Sequence, residues 1–156
     1  MSEQTNNPIS TGIMKKIIQD GDAEELVKQA DEWGTRFGKQ QRYKSESVVS
    51  ANQIRAIFGT VRRIEMNWPI NADKDSQDKA KRDLRLLQPK IIYRAAREKT
   101  KEFKQFSAIM VDAIGLVLAD EANVRKRFGY FVDFFEAIMA YHKAASESVY
   151  IKEGIK

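Results

Sequence analysis

Apolar residues recur at three- and four-residue spacing through most of this chain, and this spacing limits its fold more than any other feature. The longest example runs from about Glu121 to Ala145, where Val124, Phe128 and Phe135 fall on one face of a helix. No segment alternates apolar and polar residues as a half-buried strand would, and there is no hairpin turn or internal repeat. The sequence therefore predicts an all-α fold, a compact bundle of five to six helices.

The first twelve residues differ from the rest of the chain. They are mostly polar, include Pro8 and Gly12, and show no helical stripe. Terminal segments of this kind bury too little apolar surface to offset the entropy of ordering them. We therefore predict a disordered N-terminal tail over residues 1–12, followed by a single helical domain over residues 13–156.

Capping residues indicate where the helices begin. Starts are predicted at Asp22, Ser50 and Thr100, and the first two have Glu25 or Gln53 three residues later, as in a capping box. Proline is favoured in the first turn of a helix. The segment "PKIIYRAAREK", which opens with a proline, is therefore predicted to form a helix separate from the charged segment before it.

The composition indicates where in the cell the protein works and what charge its partners have. The 156 residues include no cysteine, and no apolar run approaches the roughly 18 residues that suggest a membrane span. The N-terminus also lacks the basic and apolar segments of a signal peptide. These features favour a cytoplasmic protein with no membrane partner. The net charge of +5 and the pI near 9.4 favour acidic partners, but they are too modest to identify one.

The stretch "SANQIRAIFGTVRRI", residues 50–64, combines an apolar stripe with three arginines. On a helical wheel Arg55 and Arg62 lie beside the apolar face, with Gly59 between them, and Arg63 follows directly. Glycine weakens a helix, so the presence of Gly59 needs a reason. Close approach of another backbone, such as a nucleic-acid strand, would be one. The arginines are either an ordinary solvated or ion-paired face, or a surface that holds a polyanion.

A second basic segment favours the polyanion. Lys90, Tyr93, Arg94 and Arg97 share one side of a helix, and cations with an interleaved aromatic are typical of nucleic-acid binding. Residues 74–104 contain eleven Lys or Arg and five acids, a net charge of +6 that exceeds the surplus of the whole chain. The alternative is that acids such as Glu98 pair with these cations along the helix.

No arrangement of residues points to catalysis. The single histidine, His142, falls on the apolar face of the last helix, where a hydrogen-bonded core residue is the usual role. Asp133 and Glu136 share a helix side without a base beside them, and there is neither metal-ligand spacing nor a glycine-rich phosphate loop. We therefore predict a protein that is not an enzyme and holds no cofactor and no metal.

The last helix carries a second aromatic stripe, formed by Tyr130, Phe134 and Tyr141. Its apolar arc then exceeds half of the circle. Such a helix is either central in the bundle or covered by a partner. Both interpretations stay open, and the second would place a contact between copies of the chain on this stripe.

Three segments in order, "SANQIRAIFGTVRRI", "LQPKIIYRAAREK" and "FVDFFEAIMAYHK", resemble the small subunit of the type III-A CRISPR–Cas effector, the Csm complex. The resemblance covers residues 48–145 and leaves residues 1–48 unassigned. Gln53 to Arg55 matches the first signature, and Lys90, Tyr93 and Arg97 match a Lys-x-x-Tyr-x-x-x-Arg segment. Ala140-Tyr141 with Lys143 matches the C-terminal end of the family. Gln88 and Ala96 depart from the lysine and glycine that are common in the family at those positions.

The resemblance implies a non-catalytic RNA-binding subunit that stacks in several copies along the guide RNA–target RNA duplex, beside other Csm subunits. Base pairing reads the sequence in such effectors, so the protein has only to hold the backbone. The candidate RNA-binding residues are Arg55, Arg62, Arg63, Lys90, Tyr93, Arg94 and Arg97. Two other hypotheses compete with the RNA-binding subunit. The second-ranked one is a helical adaptor whose basic face meets an acidic protein. The third is a DNA-binding protein, and it ranks last because the sequence shows no helix-turn-helix pattern.

Overall fold

The computed structural model describes residues 7–39 and 47–155, with side-chain surroundings as far as Glu147. Within those ranges the chain forms six α-helices and no β-strand, which confirms the predicted all-α bundle of five to six helices. The helices are α1 Thr11–Ile18, α2 Ala23–Gly38, α3 Ala51–Met66, α4 Lys74–Glu98, α5 Lys101–Leu118 and α6 Val124–Ile155, with a 3-10 turn at Glu121–Asn123. No helix in the described chain is long and apolar enough to cross a membrane.

The chain has defined contacts before residue 13, where the sequence predicted that the helical domain begins. Residues 1–6 of the predicted tail lie outside the described residues, but residues 7–12 have defined contacts. Asn7 Nδ2 donates a hydrogen bond of 2.6 Å to Asp112 Oδ2, Ile9 is buried, and Ser10 caps α1 through the Ile13 amide. The short helix α1, which was not predicted from the sequence, then buries Met14, Ile17 and Ile18.

The predicted N-caps are confirmed. Asp22 accepts a hydrogen bond from the Glu25 amide at 3.0 Å, Ser50 from the Gln53 amide at 3.4 Å, and Thr100 from the Phe103 amide at 3.1 Å. Each bond satisfies an amide that has no partner inside its own helix. These caps therefore define where α2, α3 and α5 begin.

Helix α6 is the central element, in contact with α1, α2, α3 and α5. Phe134 is fully buried, and Tyr130 and Tyr141 on the same stripe lie against Gly21 and Gly34 of the α2 region. The aromatic stripe is therefore covered within the chain. The interpretation as a central core helix is confirmed, and a contact between copies through Phe134 is wrong.

Helix α4 runs without interruption through Pro89, so the predicted break into two helices is wrong. Leu84, Leu87 and Ile91 continue one buried stripe across the proline, and packing of that stripe favours a single helix. Pro89 has no amide to donate to the Arg85 carbonyl. Both residues are exposed, so water can donate a hydrogen bond to the Arg85 carbonyl. The helix therefore tolerates the loss of this one backbone hydrogen bond.

Candidate nucleic-acid interface

Helices α3 and α4 lie antiparallel with a groove between them. The groove consists of two hollows of about 440 Å³ and about 280 Å³, which share Thr60 and Lys90 in their walls and are therefore continuous. Its floor includes the buried side chains of Ile57, Leu87 and Ile91. We call this surface the α3–α4 groove. Its charged and aromatic lining residues are Arg63, Lys79, Asp83, Lys90, Tyr93, Arg94 and Arg97.

Three cations of the groove have no acidic partner among the residues that the structure describes. Arg63, Lys90 and Arg97 form no ion pair with any acidic side chain in the described part of the chain, whereas Lys79 lies 3.0 Å from Asp83. The charge of an unpaired surface cation is not neutralised within the protein, so it can attract an external anion. The Lys79–Asp83 pair adds no net charge, but Arg63 and Lys90 line the same hollow, so the groove is positively charged along its length.

Arg94 is held in the groove by a polar chain from α3. Its Nη1 donates to Gln53 Oε1 at 2.8 Å, and Gln53 Nε2 donates to Glu98 Oε2 at 3.1 Å. Glu98 thus meets Gln53, and the alternative in which Glu98 pairs with a cation of its own helix is not what the structure shows for Arg94. A neutral partner orients the guanidinium without cancelling its charge, so Arg94 still contributes to the positive field.

Tyr93 provides an aromatic surface at the edge of the groove. Its side chain is 62% exposed, and the Arg97 guanidinium carbon lies 5.9 Å from the centre of its ring. An exposed ring beside a cation can stack with a base or ribose while the cation meets the neighbouring phosphate. The sequence placed Tyr93 and Arg97 on one helix side, and the structure brings that side to the groove.

Arg55 and Arg62 lie on the opposite flank of α3, toward α6. Arg62 Nη1 is 2.7 Å from Glu65 Oε1 and 3.5 Å from Glu136 Oε2, so two carboxylates neutralise it. Arg55 donates to Asn52 Oδ1 at 2.8 Å and is exposed. The seven predicted residues therefore divide into five that line the groove and two that do not.

The two departures from the family pattern do not affect the groove. Gln88 turns toward α5, where its Nε2 donates to the Val111 carbonyl at 3.0 Å. Ala96 is exposed and does not line either hollow. Neither residue therefore removes a cation or a close approach from this surface.

Sequence reasoning missed Thr60, Asn67 and Lys79, which also line the groove. Lys79 extends the ridge of Lys90, Arg94 and Arg97 at helical spacing, but the predicted break at Pro89 separated it from them. Had α4 been recognised as one helix, its spacing alone would have placed Lys79 on this side.

Gly59 lies between Arg55 and Arg62, and apart from the adjoining backbone of α3 itself no atom of the described residues would lie within 4 Å of a Cβ added there. Packing inside this chain therefore does not require glycine. We expect Gly59→Ala to raise the free energy of unfolding by about 1 kcal/mol, because alanine loses less backbone entropy in a helix. Urea denaturation followed by circular dichroism measures the change, and a destabilised Gly59→Ala protein would contradict the open space seen here.

His142 is a hydrogen-bonded core residue, as the sequence predicted. It is 4% exposed, and its Nε2 lies 2.7 Å from the Val49 carbonyl oxygen. A carbonyl can only accept, so Nε2 carries the proton of the neutral ring. Burial lowers the pKa of His142, the bond to Val49 acts in the opposite direction, and the charge of Arg55 lowers it further.

The remaining titratable groups do not form a reactive cluster in the described residues. The pKa of Asp133 is raised by burial and by the nearby charge of Glu65, but Glu136 on the same side pairs with Arg62. No group of three His, Asp or Glu in residues 7–39 and 47–147 is placed to hold a metal ion. The most distinctive surface of the described chain is the α3–α4 groove.

Fold and site together define a small all-α protein with a cationic groove between two antiparallel helices. The family model described as Csm2 Type III-A matches residues 20–148, more than four fifths of the chain. The chain therefore belongs to the Csm2 family, whose members are non-catalytic structural subunits of the type III-A CRISPR–Cas effector. No curated protein and no solved structure matches the chain.

The family match is longer than the resemblance in the sequence. It begins at residue 20 rather than 48, so α2 belongs to the family region although the sequence left it unassigned. This extent agrees with the packing, because α2 lies against the central helix α6.

Proposed function

We propose that the α3–α4 groove holds RNA backbone in the type III-A effector, with several copies of the chain stacked along the guide RNA–target RNA duplex in the cytoplasm. The observation that carries the proposal is the set of unpaired cations: Arg63, Lys90 and Arg97 face the groove with no acidic partner in the described residues. Cations on a protein surface release counterions when they meet phosphates, which drives association without regard to sequence.

The chemistry of the groove suits backbone better than base edges. Its lysines and arginines are donors only, and donors of this kind bind phosphate oxygens along a strand. Tyr93 adds a stacking surface that accepts any base. Such a groove provides affinity and leaves sequence reading to the guide.

The seven candidate residues are not equal in this proposal. Arg63, Lys90, Tyr93, Arg94 and Arg97 form the primary contact. Arg55, exposed on the other flank of α3, is available for a second contact. Arg62 is the weakest candidate, since Glu65 and Glu136 already neutralise it.

The test is the salt dependence of RNA binding by the purified chain. Lys90→Ala is expected to weaken binding of an unstructured RNA about tenfold at low salt, equal to about 1.4 kcal/mol. It should also reduce the slope of log K against log salt by about 0.7, because one phosphate contact is lost. Binding of RNAs of different sequence should fall by the same factor.

Arg82→Ala is the matched control, because Arg82 is an exposed cation of the same helix that does not line the groove. It should change affinity much less than Lys90→Ala. Equal losses would mean that only net charge matters. RNA affinity that does not depend on salt would refute the proposal and favour the adaptor that meets an acidic protein.

A further inference from the structure

The two hollows of the α3–α4 groove differ in what they offer a ligand. The smaller hollow, of about 280 Å³, is lined mainly by polar and charged side chains such as Arg63 and Asn67. The larger one, of about 440 Å³, combines its cations with Tyr93 and with five aliphatic residues, Ala56, Ile57, Leu87, Pro89 and Ile91. We call it the Tyr93 hollow. Aliphatic carbon gives a phosphate no hydrogen bond, so this hollow suits an occupant that also has an apolar face.

The size of the Tyr93 hollow matches a small ligand or one unit of a polymer. Small-molecule sites usually enclose roughly 300–1,000 Å³, and about 440 Å³ lies in the lower part of that range. A base inside a continuous duplex is covered on both faces by its neighbours and is paired at its edge. An unpaired base can leave the stack and place a face on an aromatic side chain.

Tyr93 presents such a face. Its side chain is 62% exposed although it is a large aromatic residue, and the Arg97 guanidinium carbon lies 5.9 Å from the centre of its ring. Every base has a π-face, so stacking on a tyrosine does not depend on sequence. The combination of an exposed ring with an aliphatic floor therefore points to the face of a base rather than to its hydrogen-bonding edge.

Arg94 forms a wall of the Tyr93 hollow in a fixed position. Gln53 Nε2 donates to Glu98 Oε2 at 3.1 Å, which leaves Gln53 Oε1 to accept from Arg94 Nη1 at 2.8 Å. This bond uses only one N–H group of the guanidinium. The others have no hydrogen-bond partner in residues 7–39 and 47–147, so they are available to the phosphate attached to a base in the hollow.

We propose that the Tyr93 hollow is a binding site for one unpaired RNA base. The base stacks on Tyr93 over the aliphatic floor, and its phosphate meets Arg94 and the other cations of the groove. Either a single strand or a nucleotide that bulges from a duplex supplies such a base, whereas a continuous duplex leaves the hollow empty. The inference rests on the proposed function and names the class of RNA that the groove takes.

Three RNAs test the site: a short unstructured single strand, a continuous duplex, and the same duplex with one bulged nucleotide. Tyr93→Ala should weaken binding of the single strand and of the bulged duplex about tenfold, because the stacked base loses its partner. It should change binding of the continuous duplex by less than about twofold, because only backbone contacts hold that RNA. Fluorescence anisotropy at low salt measures each affinity.

The pattern of losses decides the outcome. A loss on both RNAs that have an unpaired base supports the site and includes bulged nucleotides among its ligands. A loss on the single strand alone supports the site and confines it to single strands. An equal loss on all three RNAs, or no loss on the single strand, overturns the inference.

Two matched variants isolate the ring of Tyr93. Ile92→Ala alters a neighbouring side chain that is 52% exposed but does not line either hollow, so it should bind all three RNAs as the wild type does. Tyr93→Phe keeps the ring and should also retain wild-type affinity. If Tyr93→Phe bound RNA as weakly as Tyr93→Ala, the hydroxyl would be the contact, and stacking would be refuted.

The salt dependence separates this inference from the function on which it rests. Lys90→Ala should flatten the salt slope for every RNA, because Lys90 lines both hollows and meets phosphate, whereas Tyr93→Ala should leave the slope unchanged. Salt-dependent binding that Tyr93→Ala does not weaken rejects the base site and retains the cationic groove. Binding of all three RNAs that is independent of salt rejects the proposed function itself.

Discussion

Gly38→Ala is expected to lower the free energy of unfolding by about 3 kcal/mol, the largest single effect we anticipate from so small a change. A Cβ at residue 38 would overlap the main-chain carbonyl of His142, on the central helix α6. Backbone atoms cannot rotate away as a side chain can, so α2 and α6 would have to separate. Overpacking of this kind typically costs 1–3 kcal/mol, and backbone contact puts this site at the upper end.

Urea denaturation of the full chain measures the loss, with Gly12→Ala as the matched control. Gly12 is also helical, but apart from the adjoining backbone of α1 no atom of the described residues lies within 4 Å of its added Cβ, so its substitution should not destabilise the protein. Gly34→Ala should change stability in the same direction as Gly38→Ala, because its Cβ would lie 2.6 Å from the Ile138 carbonyl oxygen. Wild-type stability of Gly38→Ala would show that α2 and α6 pack less closely than described.

Those glycines show what a sequence can and cannot indicate. Gly34 and Gly38 stand singly in the sequence, and nothing there showed which helix would approach them. Close packing is a property of two segments, and α2 and α6 are about a hundred residues apart in the chain. The strong 3.6-residue stripes and the capping residues, in contrast, are local, and they predicted most of the helices correctly.

Local rules failed where tertiary packing opposed them. Pro89 predicted the start of a helix, but the buried stripe of Leu84, Leu87 and Ile91 continues through it. The polar N-terminus predicted a disordered tail, but Ile9 is buried in the core and Asn7 donates a hydrogen bond to Asp112 of α5. In both cases burial of a few apolar groups outweighed the preference of the isolated segment.

Only part of the candidate interface could be predicted from the sequence, because the rest depends on how the helices pack. A helical wheel shows which residues share a face, so it grouped Lys90, Tyr93, Arg94 and Arg97 correctly. It cannot show which flank meets a neighbouring helix. Arg63 and Arg62 are adjacent in sequence, yet Arg63 lines the α3–α4 groove whereas Arg62 pairs with Glu136 of α6.

His142→Ala is expected to destabilise the bundle by about 3 kcal/mol at neutral pH. The substitution leaves a cavity in the core and removes the donor to the Val49 carbonyl, and both losses add to the cost. That bond fixes the segment that leads into α3, and Ser50 in that segment caps the helix. Target RNA cleavage by an effector that contains the variant should continue, because His142 is only 4% exposed and does not line the α3–α4 groove.

The pH dependence of stability distinguishes the role of the ring from its size. Burial lowers the pKa of His142, so the folded chain resists a proton that the unfolded chain accepts below an ordinary pKa of about 6.5. The wild type should therefore lose stability as pH falls below about 6.5, by at most about 1.4 kcal/mol per unit from this group. His142→Gln keeps an amide that can donate to Val49 but cannot titrate, so its stability should change less over the same interval. If stability depended on pH equally in the two proteins, His142 would be protonated as readily in the folded chain as in the unfolded chain. In the cleavage experiment, loss of RNA cleavage by a folded and assembled His142→Ala protein would contradict a purely structural role.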